Sequence, residues 1–256
     1  MAVDYYIQYP CKVREAVSDV DLLRMVKARN RAAVVLDIMR GNPNIQGGKP
    51  ESEWTFTVQL MGPNGLEEAE MKIGDLLQES APLDTLAVHC QGCPANLQKC
   101  DFGCGGAIHY PIPAAAEAWL MSRLPDDLNT RVGFLLVGAI ADFKYDGAPI
   151  DAARSRKELY ESPRPVERKW GSLFSKKTRI SSSQILEMLL SVGSYQAGHA
   201  QLVAYLLGYV DDAFAPIHDP GHQPQAGDAP VVEDFKRFLA AAAFAGKHGL
   251  PLLMDA

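Results

Sequence analysis

Hydrophobic and polar positions recur along the chain with two different periods, and together they predict a mixture of strands and helices. "VDYYIQYPC", residues 3–11, is rich in tyrosine and isoleucine and stops at Pro10, which is the composition of an opening strand. Leu22, Val26, Ala33 and Leu36 then recur at helical spacing behind a Ser18 or Asp19 cap, and Gly41 with Pro43 closes this amphipathic helix. Its outer face carries Arg24, Lys27 and Arg31, a stripe that suits a solvated surface.

After the loop "NPNIQGGKPES", Trp54, Phe56, Val58 and Leu60 alternate with Thr55, Thr57 and Gln59, and "GPNG" precedes a second run; this is the pattern of a β-hairpin. "LDTLAVHC" reads as a short buried strand that delivers the chain to Cys90, and "GAIHYPIP" as another. Pro113 suits the first turn of a helix running to Leu124, and Asp126 or Asp127 is placed to cap the next one, through Phe143.

Residues 145–180 lose periodicity at Gly147, Pro149, Pro163 and Pro165 and read as a linker or loop. Beyond them the pattern is mostly helical. Ser181 with Gln184 forms a capping box, "YQAGHAQLVAYLLGYVDDA" reads as a buried helix, and a last helix opens at Asp228 and Pro230 and ends at Gly249. The terminal "GLPLLMDA" has the make-up of a late strand able to join the N-terminal sheet. The expected fold is α+β: a mixed N-terminal sheet with helices and a cysteine knuckle in residues 1–145, a basic linker or loop in 146–180, and a mainly helical part in 181–256.

Composition keeps this picture within the ordinary globular range, with 47% hydrophobic and 22% charged residues. The opening residues lack the basic and apolar regions of a secretory signal, and the longest apolar run, "VGFLLVGAIA", is half the roughly twenty residues that a membrane span needs. A cytoplasmic location and no membrane partner are therefore expected. The formal charge of −6 disfavours general nucleic-acid binding.

One stretch carries distinct chemistry. "HCQGCPANLQKCDFGCGG" holds Cys90, Cys93, Cys100 and Cys104, and in a cytoplasmic protein clustered cysteines read as metal ligands or redox thiols before disulfides. The two-residue gap lets the sulfurs of Cys90 and Cys93 face one ion, and neighbouring glycines free the backbone to wrap around it. Four thiolates satisfy a tetrahedral zinc site or an iron–sulfur cluster equally by count, and a Cys-x-x-Cys after a strand also has the form of a redox dithiol. His89 and His109 flank the cluster and are alternative ligands. Zinc is the preferred metal, with an iron–sulfur cluster as the alternative.

Two further groups bear on function. Residues 154–183 hold nine basic and three acidic side chains, and Arg168, Lys169, Trp170, Lys176, Lys177 and Arg179 form a basic patch with an aromatic interleaved. Such a patch fits another protein as partner; nucleic acid is possible through 154–183 but not favoured. "VDDAFAPIHDPGH" sets Asp211, Asp212, His218, Asp219 and His222 close together, a weaker candidate for a metal-dependent hydrolase centre. Cys11 reads as a small, partly buried thiol. No phosphate-binding loop, dinucleotide fingerprint, nucleophile elbow or zinc-protease helix motif is present. The expected role is a metal-stabilised interaction or regulatory protein without catalysis, the alternative an iron–sulfur electron-transfer or redox-sensing protein.

Overall fold

The computed structural model describes residues 2–41, 48–62, 65–156, 159–171, 177–190, 197–208, 210–215 and 227–255. The fold is α+β, and the chain divides into two compact units: Met1–Tyr9 with Gly103–Ala256, and Pro10–Phe102.

The first unit is built on a three-stranded sheet. Strand β1 (Ala2–Ile7) lies at its centre. The later strands β4 (Gly105–His109) and β7 (Leu252–Asp255) flank it, both antiparallel to it, with Tyr5 opposite Gly106 on one side and Met254 on the other. The terminal apolar run thus closes onto the opening strand. The sheet is antiparallel throughout, where a mixed one was expected.

Helix α10 (Pro230–His248) covers this sheet. Its buried Phe235, Phe238, Leu239, Ala242 and Ala245 recur at helical spacing, and the Tyr5 ring meets that of Phe238 edge-on at 5.2 Å. Pro230 starts the helix, and Gly249 ends it in the left-handed conformation, at φ 63°. Helix α9 (Ala197–Leu206) packs on α10 with Leu202, Val203 and Leu206 buried.

Helix α5 (Ala114–Ser122) follows β4, and α6 (Arg131–Asp142) is capped by Thr130, whose Oγ1 accepts the Gly133 N–H at 3.1 Å. The expected cap was Asp126 or Asp127. Asp127 instead accepts the backbone and side-chain N–H groups of Asn129, both at 2.9 Å, which places the turn before the helix.

The stretch read as a linker or loop carries regular structure. Helix α7 (Ala148–Ser155) opens it, and strands β5 (Glu167–Trp170) and β6 (Thr178–Ser181) pair antiparallel. Helix α8 (Ser182–Leu190) starts at the capping box: the Ser181 N–H donates to Gln184 Oε1 at 3.0 Å, and the Gln184 N–H donates to Ser181 Oγ at 3.3 Å.

The second unit opens with the short helix α1 (Lys12–Ala16) and the long helix α2 (Asp19–Arg40), capped by Ser18. Strands β2 (Thr55–Gly62) and β3 (Gly65–Lys72) form the anticipated hairpin, with Phe56 opposite Met71. Helix α3 (Ile73–Ser80) lies against α2, so that Ala28, Ala32 and Leu76 form one apolar cluster and Leu36, Met39, Trp54 and Ile73 another.

The run expected as a strand before Cys90 is helical. Helix α4 (Pro82–Leu86) passes into a 3₁₀ turn, Ala87–Cys90. Pro82 sets the first-turn φ, and of the run that follows only Leu83 and Cys90 are buried, so there is one inward face and no strand partner. Among the described residues, no helix is long and apolar enough to cross a membrane.

Candidate metal centre

The 3₁₀ turn sets Cys90 at the mouth of a tight loop inside the second unit. The Cys93 N–H donates to Cys90 O at 3.3 Å, and the Asn96 N–H to Cys93 O at 3.0 Å, so consecutive turns fold the chain back on itself. Asn96 Nδ2 also donates to Cys90 O, at 3.0 Å. Gly92 takes φ 73°, a conformation that suits glycine, while Lys99 and Phe102 adopt φ 54° and 58° with side chains present. Each of those two costs about 1 kcal/mol of backbone strain, which the surrounding bonds must offset.

The loop borders an open cavity of about 470 Å³. Cys90, Cys93 and Cys100 all line it, with Asn96, Lys99 and Asp101. Cys90 is buried, Cys93 half-buried and Cys100 exposed. The Phe102 N–H donates to Cys90 Sγ at 3.3 Å. Burial pushes the Cys90 thiol above the ordinary cysteine range; the Phe102 bond works against this, and negative charge on Asp101, Cys93 or Cys11 adds to it. In the absence of metal this sulfur is therefore held as a neutral thiol at neutral pH.

Three cysteines and an asparagine line one cavity, residue types whose sulfur and amide-oxygen donors suit a soft or borderline cation. Asn96 Oδ1 is buried there without a hydrogen-bond partner, an acceptor whose desolvation a cation or a protonated donor would relieve. The arrangement is nonetheless short of a knuckle. Among the described residues, no three of histidine, cysteine, aspartate and glutamate stand together in positions that hold a metal ion. Cys104 belongs to the first unit, where its carbonyl accepts the Ile7 N–H at 3.1 Å.

The flanking histidines are differently placed. His89 is exposed on the 3₁₀ turn. His109, at the end of β4, is 71% exposed, and both its backbone N–H and its ring Nδ1 are within hydrogen-bond reach of Asp234 Oδ2, at 3.2 and 2.7 Å. That pair ties β4 to α10.

The basic patch is largely taken up in anchoring the β5–β6 hairpin. Arg168 Nη1 donates to the carbonyls of Met121 and Leu124, at 3.2 and 2.7 Å, its Nη2 bonds Asp126, and its guanidinium lies 5.1 Å from the Trp170 ring centre. Trp170 Nε1 donates to Pro125 O at 2.9 Å. Arg179 pairs with Glu167, and Lys169 Nζ stands 3.9 Å from the same carboxylate. Lys177 is exposed, and Lys176 lies outside the described residues.

Of the acidic loop, Asp211 closes a turn, its Oδ1 accepting the Ala213 and Ala215 N–H groups at 2.8 Å each. Asp212 bonds Tyr205, whose hydroxyl is pushed up to about 12, by burial first and then by that bond. His218, Asp219 and His222 lie outside the described residues.

One residue at the cavity, Asn96, had no spacing signal to mark it. Asn96 acts through the folded loop alone. Cys11 stands directly before α1, and α1 packs against the 3₁₀ turn that ends at Cys90. No protein-family description, curated protein or solved structure matches the chain.

Proposed function

We propose that the cysteine loop is a zinc site and that the protein is a cytoplasmic, non-enzymatic interaction or regulatory protein whose partner is another protein. The observation that carries this reading is the shared cavity of Cys90, Cys93 and Cys100. A zinc ion saturated by protein thiolates has no open position at which to activate water, so its work is to fix the loop. The loop carries little hydrophobic packing of its own beyond Cys90, Ala95 and Phe102, and a metal would supply the missing rigidity. The exposed Leu97 then presents a fixed surface to a partner.

The test is metal analysis, with an absorption spectrum, of full-length protein purified without oxygen. Stoichiometric zinc in a colourless sample is the expected result. Stoichiometric iron with broad visible absorption that bleaches on reduction would replace this reading by the iron–sulfur one. A sample free of both metals that also fails to take up added zinc would overturn it.

A further inference from the structure

We propose that the exposed face of α6 is the interface of a symmetric, antiparallel dimer, covered by the same helix of a second copy of this chain. The inference draws nothing from the cysteine loop and stands apart from the zinc reading.

Helix α6 buries Val132, Leu136 and Ala139 and turns its other side outward. On that side Phe134 is 66% and Val137 37% exposed, and Ala141 is exposed in line with them, at the i, i+3, i+7 spacing of one helical stripe. Apolar side chains held in water at this spacing gain free energy from a second apolar surface laid over them.

Shape and charge say what that surface is. Gly138 lies one turn after Phe134, and a Cβ built on it meets nothing within 4 Å, so one face carries both a projecting ring and an open notch. Two such faces related by a two-fold axis place the Phe134 ring of each copy against the Gly138 notch of the other. Arg131 opens the helix and Asp142 ends it; both are exposed, and helical geometry puts them on the same edge of the stripe, about 17 Å apart along the axis. In a single chain both charges oppose the helix dipole, a cation at the positive N-terminus and an anion at the negative C-terminus. The antiparallel pair reverses this. Arg131 of each copy then stands by Asp142 and the helix C-terminus of the other, whereas a parallel pair would set like charge against like.

The face is small, so the dimer is weak, with a Kd of about 10–100 µM, and dilute protein is monomeric. The test is sedimentation velocity of the full-length chain, kept reduced, from about 1 to about 300 µM, over which the wild type should pass from monomer to dimer. Phe134→Glu should weaken the dimer by about 100-fold or more. Arg131→Glu and Asp142→Arg should each weaken it by about tenfold, because each turns two opposite-charge contacts into two like-charge contacts. An equimolar mixture of these two variants should recover the wild-type affinity, since every contact in the mixed dimer again joins opposite charges. A wild-type chain that stays monomeric up to about 300 µM would overturn the inference. So would a dimer that Phe134→Glu leaves intact, which would put the interface on another face. Charge variants that dimerise as the wild type does, or whose mixture recovers nothing, would rule out the antiparallel pairing. The charge variants alter only exposed side chains, so they decide the matter even where Phe134→Glu fails to fold.

Discussion

Arg154 and Glu117 form a fully buried, two-pronged ion pair in the first unit: Nη1 donates to Oε1 at 2.8 Å and Nη2 to Oε2, with the side chains 1% and 0% exposed. The remaining donors are also used, Nε on Ser183 Oγ at 3.1 Å, Nη1 on Ser162 O at 3.2 Å and Nη2 on Ser182 Oγ at 3.4 Å, and the guanidinium lies 4.4 Å from the Tyr160 ring centre. The pair links α5 and α7 to the start of α8. Removing one partner leaves an uncompensated charge out of water, so Arg154→Met or Glu117→Leu should each cost about 3–5 kcal/mol in denaturant unfolding. The double variant should be more stable than the sum of the two losses implies. Additive losses would show that the two charges do not interact.

Helix α6 contains two glycines that should respond to alanine with opposite signs. A Cβ on Gly133 would lie 2.5–2.6 Å from backbone atoms of Leu128, which cannot move aside without shifting the turn before the helix. At Gly138 nothing lies within 4 Å of the same position. Gly133→Ala should therefore lose about 1–3 kcal/mol, and Gly138→Ala should gain up to about 1 kcal/mol by restricting the unfolded chain. Paired melting curves check both. Equal shifts in one direction would contradict the packing at Leu128.

Cys90 should be the slowest of the loop thiols to react in metal-free protein. Its sulfur is buried, accepts the Phe102 N–H, and is pushed up by burial, so its thiolate fraction at neutral pH is small. Alkylation of chelator-treated protein, followed by peptide mass spectrometry, should label the exposed Cys100 first and Cys90 last. The Cys90 rate should climb as pH rises past the ordinary cysteine range. A Cys90 rate equal to that of Cys100 at pH 7 would refute the burial and bonding described for that sulfur.

Features decided within a few residues were the legible ones. The Ser181 and Gln184 box is a reciprocal bond across three positions, and its residue types announce it. The opening strand, the hairpin and the last helix with its Gly249 stop follow from local period and turn chemistry. Choices between equivalent local signals were not legible. Asp126, Asp127 and Thr130 all have capping chemistry, and only the Asn129 turn assigns the cap to Thr130. The apolar run before Cys90 is too short to show its period, and Pro82 and one-sided burial make it helical. At the candidate site, spacing alone brought Cys90, Cys93 and Cys100 together. Asn96 joins them through the local turns of the loop, whereas Arg154 reaches Glu117 across 37 residues only through tertiary packing.

Tyr160 should make the protein sensitive to alkali over a defined range. The side chain is 4% exposed, and its hydroxyl is pushed up to about 12, by burial first and also by the Glu117 charge, with Arg154 opposing. In the unfolded chain the same group ionises near its ordinary value of 10.0. Above pH 10 the unfolded state therefore binds fewer protons than the native state, and stability must fall as pH rises. The contribution is intact below pH 10 and is lost between pH 10 and about 12, amounting to about 3 kcal/mol for the two-unit difference. Tyr5 and Tyr205 are raised in the same direction, so the wild-type curve alone cannot isolate one tyrosine. Comparison with Tyr160→Phe can: the unfolding free energies should run parallel below pH 10 and converge or cross above it, as the wild type alone loses the Tyr160 contribution. Curves that stay parallel up to pH 12 would mean that Tyr160 ionises alike in the folded and unfolded chains, and that its position beside Arg154 and Glu117 does not keep it protonated.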